Sequence, residues 1–308
     1  VLSRDASALS VKKKKSLRLD WLSFRIISVL IILPFVALCI IPFYLIIVAS
    51  FTDENEIVQQ GYSFFVSKFS LGGYELVLKN PEAILRSYGM TIFVTVAGTV
   101  LALILCVMTG FILSRKDFPW RNGFSFFFFF TTLFGGGLVP WYLLCTKVLN
   151  FSDHIYAMIL PLMFSVWNMI IAKSFIRSGV PFEIVESGKI DGANDIQIFF
   201  QLILPLTKPL LATLGLFTAL AYWNDWYNCM LFIKDGNLYT LQYYLQEILN
   251  SAEALKIVAA KSGMDVKVLP MESMKMAMTV VATGPIILLY PLLQKYFVKG
   301  LTIGAVKG

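Results

Sequence analysis

Side chains suited to covalent or redox chemistry are few in this sequence, and they are scattered. His154 is the single histidine among 308 residues, so neither a Ser-His-Asp arrangement nor a histidine-rich metal site has material to build on; it reads as an interfacial polar residue. Cys39, Cys106, Cys145 and Cys229 lie in or beside apolar runs with no C-x-x-C spacing, which is the pattern of free cysteines acting as small hydrophobes. No G-x-x-x-x-G-K-[ST] occurs: Gly188-Lys189 is followed by Ile190, and Lys173-Ser174 lacks the glycines. The chain therefore has no phosphate-cradling loop with which to hydrolyse a nucleotide. Binding chemistry remains. Tyr222-Trp223-Asn224-Asp225-Trp226-Tyr227 sets aromatic faces beside an amide and a carboxylate, and Trp167-Asn168 is a smaller set of the same kind. Such groups suit a ligand with apolar faces and many hydroxyls. They equally suit an aromatic belt with an interfacial acid, and both readings stand at this level.

The elements that must carry these residues follow from composition. Hydrophobic residues make up 57% of the chain and charged ones 15%, against about 25% charged in a soluble domain. With a mean hydropathy of +0.74, this points to a polytopic, all-α membrane protein and excludes a disordered chain, a disulfide scaffold, a fibrous protein and an ordinary soluble enzyme. A bilayer-spanning helix needs about 20 apolar residues, and six segments qualify: 26–50, 89–113, 124–146, 154–175, 209–232 and 277–298. The first holds Pro34 and Pro42, which predict a kink; it is too long for a signal-peptide core and lacks a small-x-small cleavage site. Gly89, Gly98 and Gly110 in the second predict close helix contacts. The third opens on Phe126–Phe130, read as lipid-facing bulk, and is interrupted by Gly135, Gly136 and Gly137.

Charge sets the direction. With the N-terminal segment (1–25) inside, 17 of the 26 basic residues fall on the inner side, among them Lys12–Lys15, Arg115, Lys116, Arg121, Lys173, Arg177, Lys189 and Lys208. That side carries seven acids and the other side twelve. The net +7 is thus an orientation signal placing both termini inside, not a nucleic-acid footprint. The N-terminal cluster also suits contact with anionic lipid, at about 1 kcal/mol per basic residue near the surface.

The most patterned stretch is the inner connection, Val180 to Pro209. Pro181 suits a helix start, and Glu183 and Glu186 complement its dipole. Asp191-Gly192 is a turn pair, and Asn194 or Asp195 can cap a second short helix rich in Ile196, Ile198, Phe199, Phe200, Leu202 and Ile203, closed by Pro205 and Pro209. Two bent helices anchored at both ends fit a groove on a partner, or lie on the headgroups as an interfacial helix. The spacing Glu186-Ser187-Gly188, three residues, Gly192, nine residues, Leu202-Ile203-Leu204-Pro205 resembles the "EAA" loop of ABC-importer permeases. Asp191-Gly192-Ala193 is similar to its sugar branch. Ser187 and Gly188 replace the usual alanines, and Leu202 an isoleucine, all small for small or apolar for apolar. The tail 299–308 resembles the MalG-like subunits of oligosaccharide importers, and Phe134–Pro140 the polysaccharide-utilising branch.

That resemblance implies a type I importer permease fold with six transmembrane helices (26–298), a coupling helix within 180–209 and an outer loop at 233–276. It implies ATPase coupling through Glu186, Ser187, Gly188, Asp191, Gly192, Ala193, Leu202, Leu204 and Pro205. A substrate path would use Trp223, Asn224, Asp225, Trp226, Tyr227 and Asn168. The implied partners are two ATPase subunits that hold ATP and magnesium, a second six-span permease in a heterodimer, and an extracytoplasmic binding protein. The chain would bind no cofactor, would not be an enzyme, and would sit in a bacterial cell membrane, moving an oligosaccharide inward. The alternatives are an ion-coupled carrier, which should show ionisable residues in several spans, and a permease for another small polar solute.

Overall fold

The computed structural model describes residues 2–262 and 270–287. These residues are helical with one isolated antiparallel bridge, Thr52–Phe69, and no strand. They form two compact units, one reaching to Leu76 and including 270–280, the other running from Val77 and including 281–287.

In the first unit, α1 (Leu2–Ser50) contains an apolar stretch, Ser23–Ser50, of 28 residues. At 1.5 Å per residue this spans about 42 Å, more than the hydrocarbon layer of about 30 Å. Its Leu30, Ile31, Leu33, Phe35 and Leu38 are exposed, as a lipid-facing helix requires. Pro34 and Pro42 stay inside one continuous helix. Asp53 caps α2 (Glu54–Gln60) through the Asn55 N–H, and α3 (Gly72–Val77) follows. The buried Glu54 carboxylate reaches across 218 positions to accept the Glu272 N–H (3.0 Å), the Ser273 N–H (3.0 Å) and the Ser273 hydroxyl (3.2 Å). These are first-turn donors of the helix over 271–287 (α15), so an anion sits where the helix dipole favours one.

The second unit is built on α4 (Pro81–Ser114), which begins eight residues before the expected span because Pro81 in its first turn and Glu82 beside it start a helix that a hydropathy window does not register. The expected third span is α5 (Arg121–Leu133) and α6 (Leu138–Leu143), the latter running through a π turn to Val148, with a 114° bend at the glycine triplet. The fourth is α7 (Tyr156–Ile159) with a 3-10 turn to Leu162, then α8 (Val166–Gly179) after a 51° bend. α9 (Glu183–Ile190) precedes α10 (Asp195–Gln197), a π turn, Ile198–Ile203, and α11 (Leu204–Leu206). An 84° bend leads into α12 (Lys208–Trp223), followed by α13 (Tyr227–Phe232) and α14 (Leu241–Ser262). Among the described residues two unbroken helices, the Ser23–Ser50 part of α1 and α4, are long and apolar enough to cross a membrane, and three bent pairs reach that test together. Residues 288–298 of the expected sixth span, 263–269 of the outer loop and the tail 299–308 lie outside the described residues.

α8 and α12 pack against α4 where α4 has no side chain. A Cβ on Gly110 would lie 2.9 Å from both Ala172 and the Lys173 amide nitrogen, and one on Gly98 would lie 2.4 Å from the Tyr222 ring; Gly89 faces open space. Tyr222 is buried and donates its hydroxyl to the Ile159 carbonyl at 2.7 Å, so the ring cannot step aside. Two apolar clusters form around α4. One joins Val94 and Ala102 to Met158, Tyr222, Cys229 and Phe232; the other joins Val107 and Phe111 to Ala172, Ile176 and Leu214.

Gly98→Ala should therefore destabilise the protein by about 1–3 kcal/mol through overpacking, read as a lower thermal midpoint in detergent. Adding Tyr222→Ala to that variant should cost less than Tyr222→Ala alone, because the two sites share one space. Strict additivity would refute the contact.

Candidate functional site

The connection between α8 and α12 takes the shape its residues dictate. Glu183 and Glu186 lie in the first turn of α9 and Lys189 in its last, each complementing the dipole. The helix stops at Asp191, and Gly192 then adopts φ +82°, a left-handed conformation that glycine enters without a Cβ penalty. Of the two proposed caps it is Asn194, not Asp195, that forms the capping box: its side chain accepts the Gln197 N–H, and the Gln197 side chain accepts the Asn194 N–H, both at 2.9 Å. Gly188 lets the second helix lie on the first, with Leu202 Cδ1 and Ile198 Cγ1 only 3.0 and 3.1 Å from where its Cβ would be.

The segment is two-sided. Val185, Ile198, Phe199 and Ile203 are buried in the same core as Val107, Phe111 and Ile176, with Leu202, Leu204 and Ala193 packed against it and the Phe111 and Phe199 rings 6.0 Å apart. On the other side Glu186, Ser187, Asp191 and Gly192 are exposed together with Ile190 at 85%, whereas the exposed Ile196 and Phe200 line a cavity with Met108, Ile112 and Phe118 around the end of α4. Pro205 is exposed within α11 just before the bend.

A charged clamp fastens this segment to the end of α4. Arg115 binds Asp117 through both Nε (2.9 Å) and Nη2 (2.5 Å), and its Nη1 reaches Asp195 at 2.5 Å. Lys189 Nζ completes the set on Asp117 at 2.8 Å. The bidentate geometry gives directional as well as electrostatic hold. The Arg115 fork holds the Asp117 carboxyl well below the usual carboxylate range, with Lys189 adding to the effect, and Asp117 in return pushes the guanidinium further up. In the sequence, Arg115 and Lys189 read as orientation charges. The available signal was an acid, Asp117, two places after Arg115 at the end of an apolar run; the other partners lie 72 and 80 positions away.

The aromatic group is dispersed by its surroundings. Trp223 is buried and donates Nε1–H to the Ala282 carbonyl at 3.1 Å. Asp225 accepts the Asn228 N–H at 3.2 Å and its side-chain amide at 2.8 Å, at the start of α13. Asn168 donates to Thr218 Oγ1 at 3.2 Å, tying α8 to α12. Asn224, Trp226 and Tyr227 are exposed, the last two in an edge-to-face pair 5.9 Å apart. Asn224 is itself engaged, donating its side-chain amide to the Leu220 carbonyl at 2.9 Å and accepting from Gln242 Nε2 at 3.4 Å, so four of the six have internal partners and the two rings have free surface.

An all-helical chain with long lipid-facing apolar helices defines an integral membrane protein of the polytopic helical class. No family model matches the chain. It is 36% identical over 277 residues to the polygalacturonan/rhamnogalacturonan transport system permease protein YtcP of Bacillus subtilis (strain 168), covering 90% of this chain and 96% of that one. It is 39% identical over 274 residues to protein LplC of the same organism, covering 88% and 90%. Among solved structures it matches a bacterial ABC transporter involved in the import of the acidic polysaccharide alginate, with a TM-score of 0.74 and 28% identity over 89% of this chain and 96% of that one. The chain belongs to the family of permease subunits of carbohydrate-uptake ABC importers.

Asp117→Asn should remove the anchor of the clamp and cost about 0.5–1 kcal/mol, since the pair is partly exposed and screened by salt. Because folding lowers the Asp117 pKa, its contribution is complete above the unfolded value of about 3.9 and is lost as pH falls through the lower folded value. The difference between wild type and variant should be flat from neutral pH to about pH 5 and shrink below that. A difference growing towards acid pH would contradict the assignment.

Proposed function

We propose that the chain is the membrane subunit of an ATP-driven, binding-protein-dependent importer that carries an oligosaccharide into the cytoplasm by alternating access. In this reading six helices cross a bacterial cell membrane with both termini inside, and the segment over 183–206 docks on a separate ATPase. The observation that carries it is the two-sidedness of that segment. One face is built into the core around α4, and the other leaves Ile190 exposed together with Glu186, Ser187 and Asp191. An apolar group rimmed by polar ones suits a partner surface. Movement imposed there reaches α4 through both the Phe111–Phe199 contact and the Arg115 clamp. ATP and magnesium belong to the ATPase subunits; a second permease and an extracytoplasmic binding protein complete the assembly. Glu186 pairs with a basic residue of the ATPase.

For the substrate, Trp226 and Tyr227 supply exposed ring faces beside Asn224, while Trp223, Asp225 and Asn168 hold that region in shape. The relatives named for polygalacturonan/rhamnogalacturonan and for alginate make fragments of acidic polysaccharides the first substrates to assay.

Gly192→Pro imposes φ near −65° where +82° is needed. It should leave the membrane domain inserted but abolish binding-protein-stimulated ATP hydrolysis and uptake in the co-purified complex; unchanged coupled transport would reject the coupling segment. The double variant Trp226→Ala/Tyr227→Ala should lower uptake on the order of tenfold, from about 1–2 kcal/mol of lost ring contact, with assembly intact. Normal uptake would return both rings to an aromatic-belt role.

A further inference from the structure

Beside the clamp, between the C-terminal end of α8 and the N-terminal end of α5, lies a cavity of about 330 Å³. Its charged lining is Arg115, Lys116, Arg121, Arg177 and Glu183. Arg115 is already balanced: with Lys189 it faces Asp117 and Asp195, two cations against two anions. The other three cations have no carboxylate within ion-pair distance among the described residues. Arg121 rests instead on the Arg115 carbonyl at 3.2 Å, and the neighbouring Lys173 donates to Ser125 Oγ at 2.7 Å, both uncharged acceptors. One acid, Glu183, stands against Lys116, Arg121 and Arg177, so the cavity keeps a positive excess.

Its depth says which anion is at hand. Trp120, 69% exposed, immediately precedes Arg121, and from Phe124 onward α5 exposes Phe126, Phe127, Phe129 and Phe130. The boundary between lipid-facing rings and polar surface therefore falls at Arg121, where an aromatic belt meets the headgroup layer. At that level the abundant anion is a phosphodiester, and two guanidinium forks match its paired oxygens.

We propose that this cavity binds the headgroup phosphate of an anionic phospholipid, held between Arg121 and Arg177 with Lys116 at the rim. The assignment rests on the permease reading, which places this end of α5 and α8 on the inner, anionic leaflet. A lipid seated here touches both the start of α5 and the loop leading into α9, beside the segment proposed to receive the ATPase.

The test is retention of phosphatidylglycerol by the assembled transporter, purified in mild detergent and weighed by native mass spectrometry. Wild type should keep bound phosphatidylglycerol in preference to phosphatidylcholine, and added inorganic phosphate should not displace it. Arg121→Gln/Arg177→Gln should lower its occupancy at limiting lipid on the order of tenfold. Arg121→Lys/Arg177→Lys should retain most of it, and Lys147→Gln, the loss of one exposed charge elsewhere, all of it. Equal occupancy in the double glutamine variant overturns the site. So does an equal loss in Lys147→Gln, which would mean unspecific attraction, and so does displacement by inorganic phosphate, which would mean a free-anion site. Loss of the ATPase subunits with lipid retained would make the cavity a protein-docking surface instead. Because ATPase subunits are weighed in the same sample, their absence from wild type would refute the permease reading separately from the lipid result.

Discussion

The close approach of α8 and α12 to the bare backbone of α4 is the contact on which the larger unit depends. Between helices surrounded by lipid no hydrophobic force drives association, so packing must come from shape. Gly98 and Gly110 provide that shape by admitting the Tyr222 ring and the backbone at Ala172–Lys173. Both apolar clusters follow from these crossings, one on either side of Ala102–Val107. The arrangement also sets where the C-terminal end of α4 arrives, and hence where Arg115 stands.

Arg115 turns that packing into control over the inner connection. A short helix pair with exposed isoleucines would have several ways to lie against a membrane surface. The clamp and the buried side, Val185, Ile198, Phe199 and Ile203, leave it one. The segment is thereby stiffly joined to α4 while Ile190 and Glu186 remain uncovered. A rigid connection with an open face is what a part that receives movement from a partner needs. The Glu54 carboxylate, capping α15 from far away in sequence, shows the same logic in the smaller unit: a charge at a helix end defines where that helix begins.

Much of this was legible in the residues. The apolar runs located the helices because hydrocarbon permits little else, and the turn at Gly192 and the two-helix form of 180–209 were readable because caps, turns and dipole complements act over three or four residues. The bends were less legible. The Gly135–Gly137 interruption was visible but its 114° angle was not, and the break of the fifth run at Asn224–Trp226 was hidden inside a continuous apolar window. Of the aromatic group, the sequence could not say that Trp223 and Asp225 are engaged with Ala282 and Asn228 while Trp226 and Tyr227 stay open.

By itself, then, the sequence determined what depends on solvent transfer and on short-range backbone chemistry: membrane residence, helical class, the spaced inner segment and its kinship with importer permeases. The tertiary structure decided which charges are partnered and which are not. Arg115 is closed off by Asp117 and Asp195, whereas Arg121 and Arg177 are left facing a cavity. The physical reason is that a charge pair is set by distance in space. Here those distances are created by two glycines on α4, whose packing brings Arg115 and Asp117 at its end against charges 80 and 72 positions away.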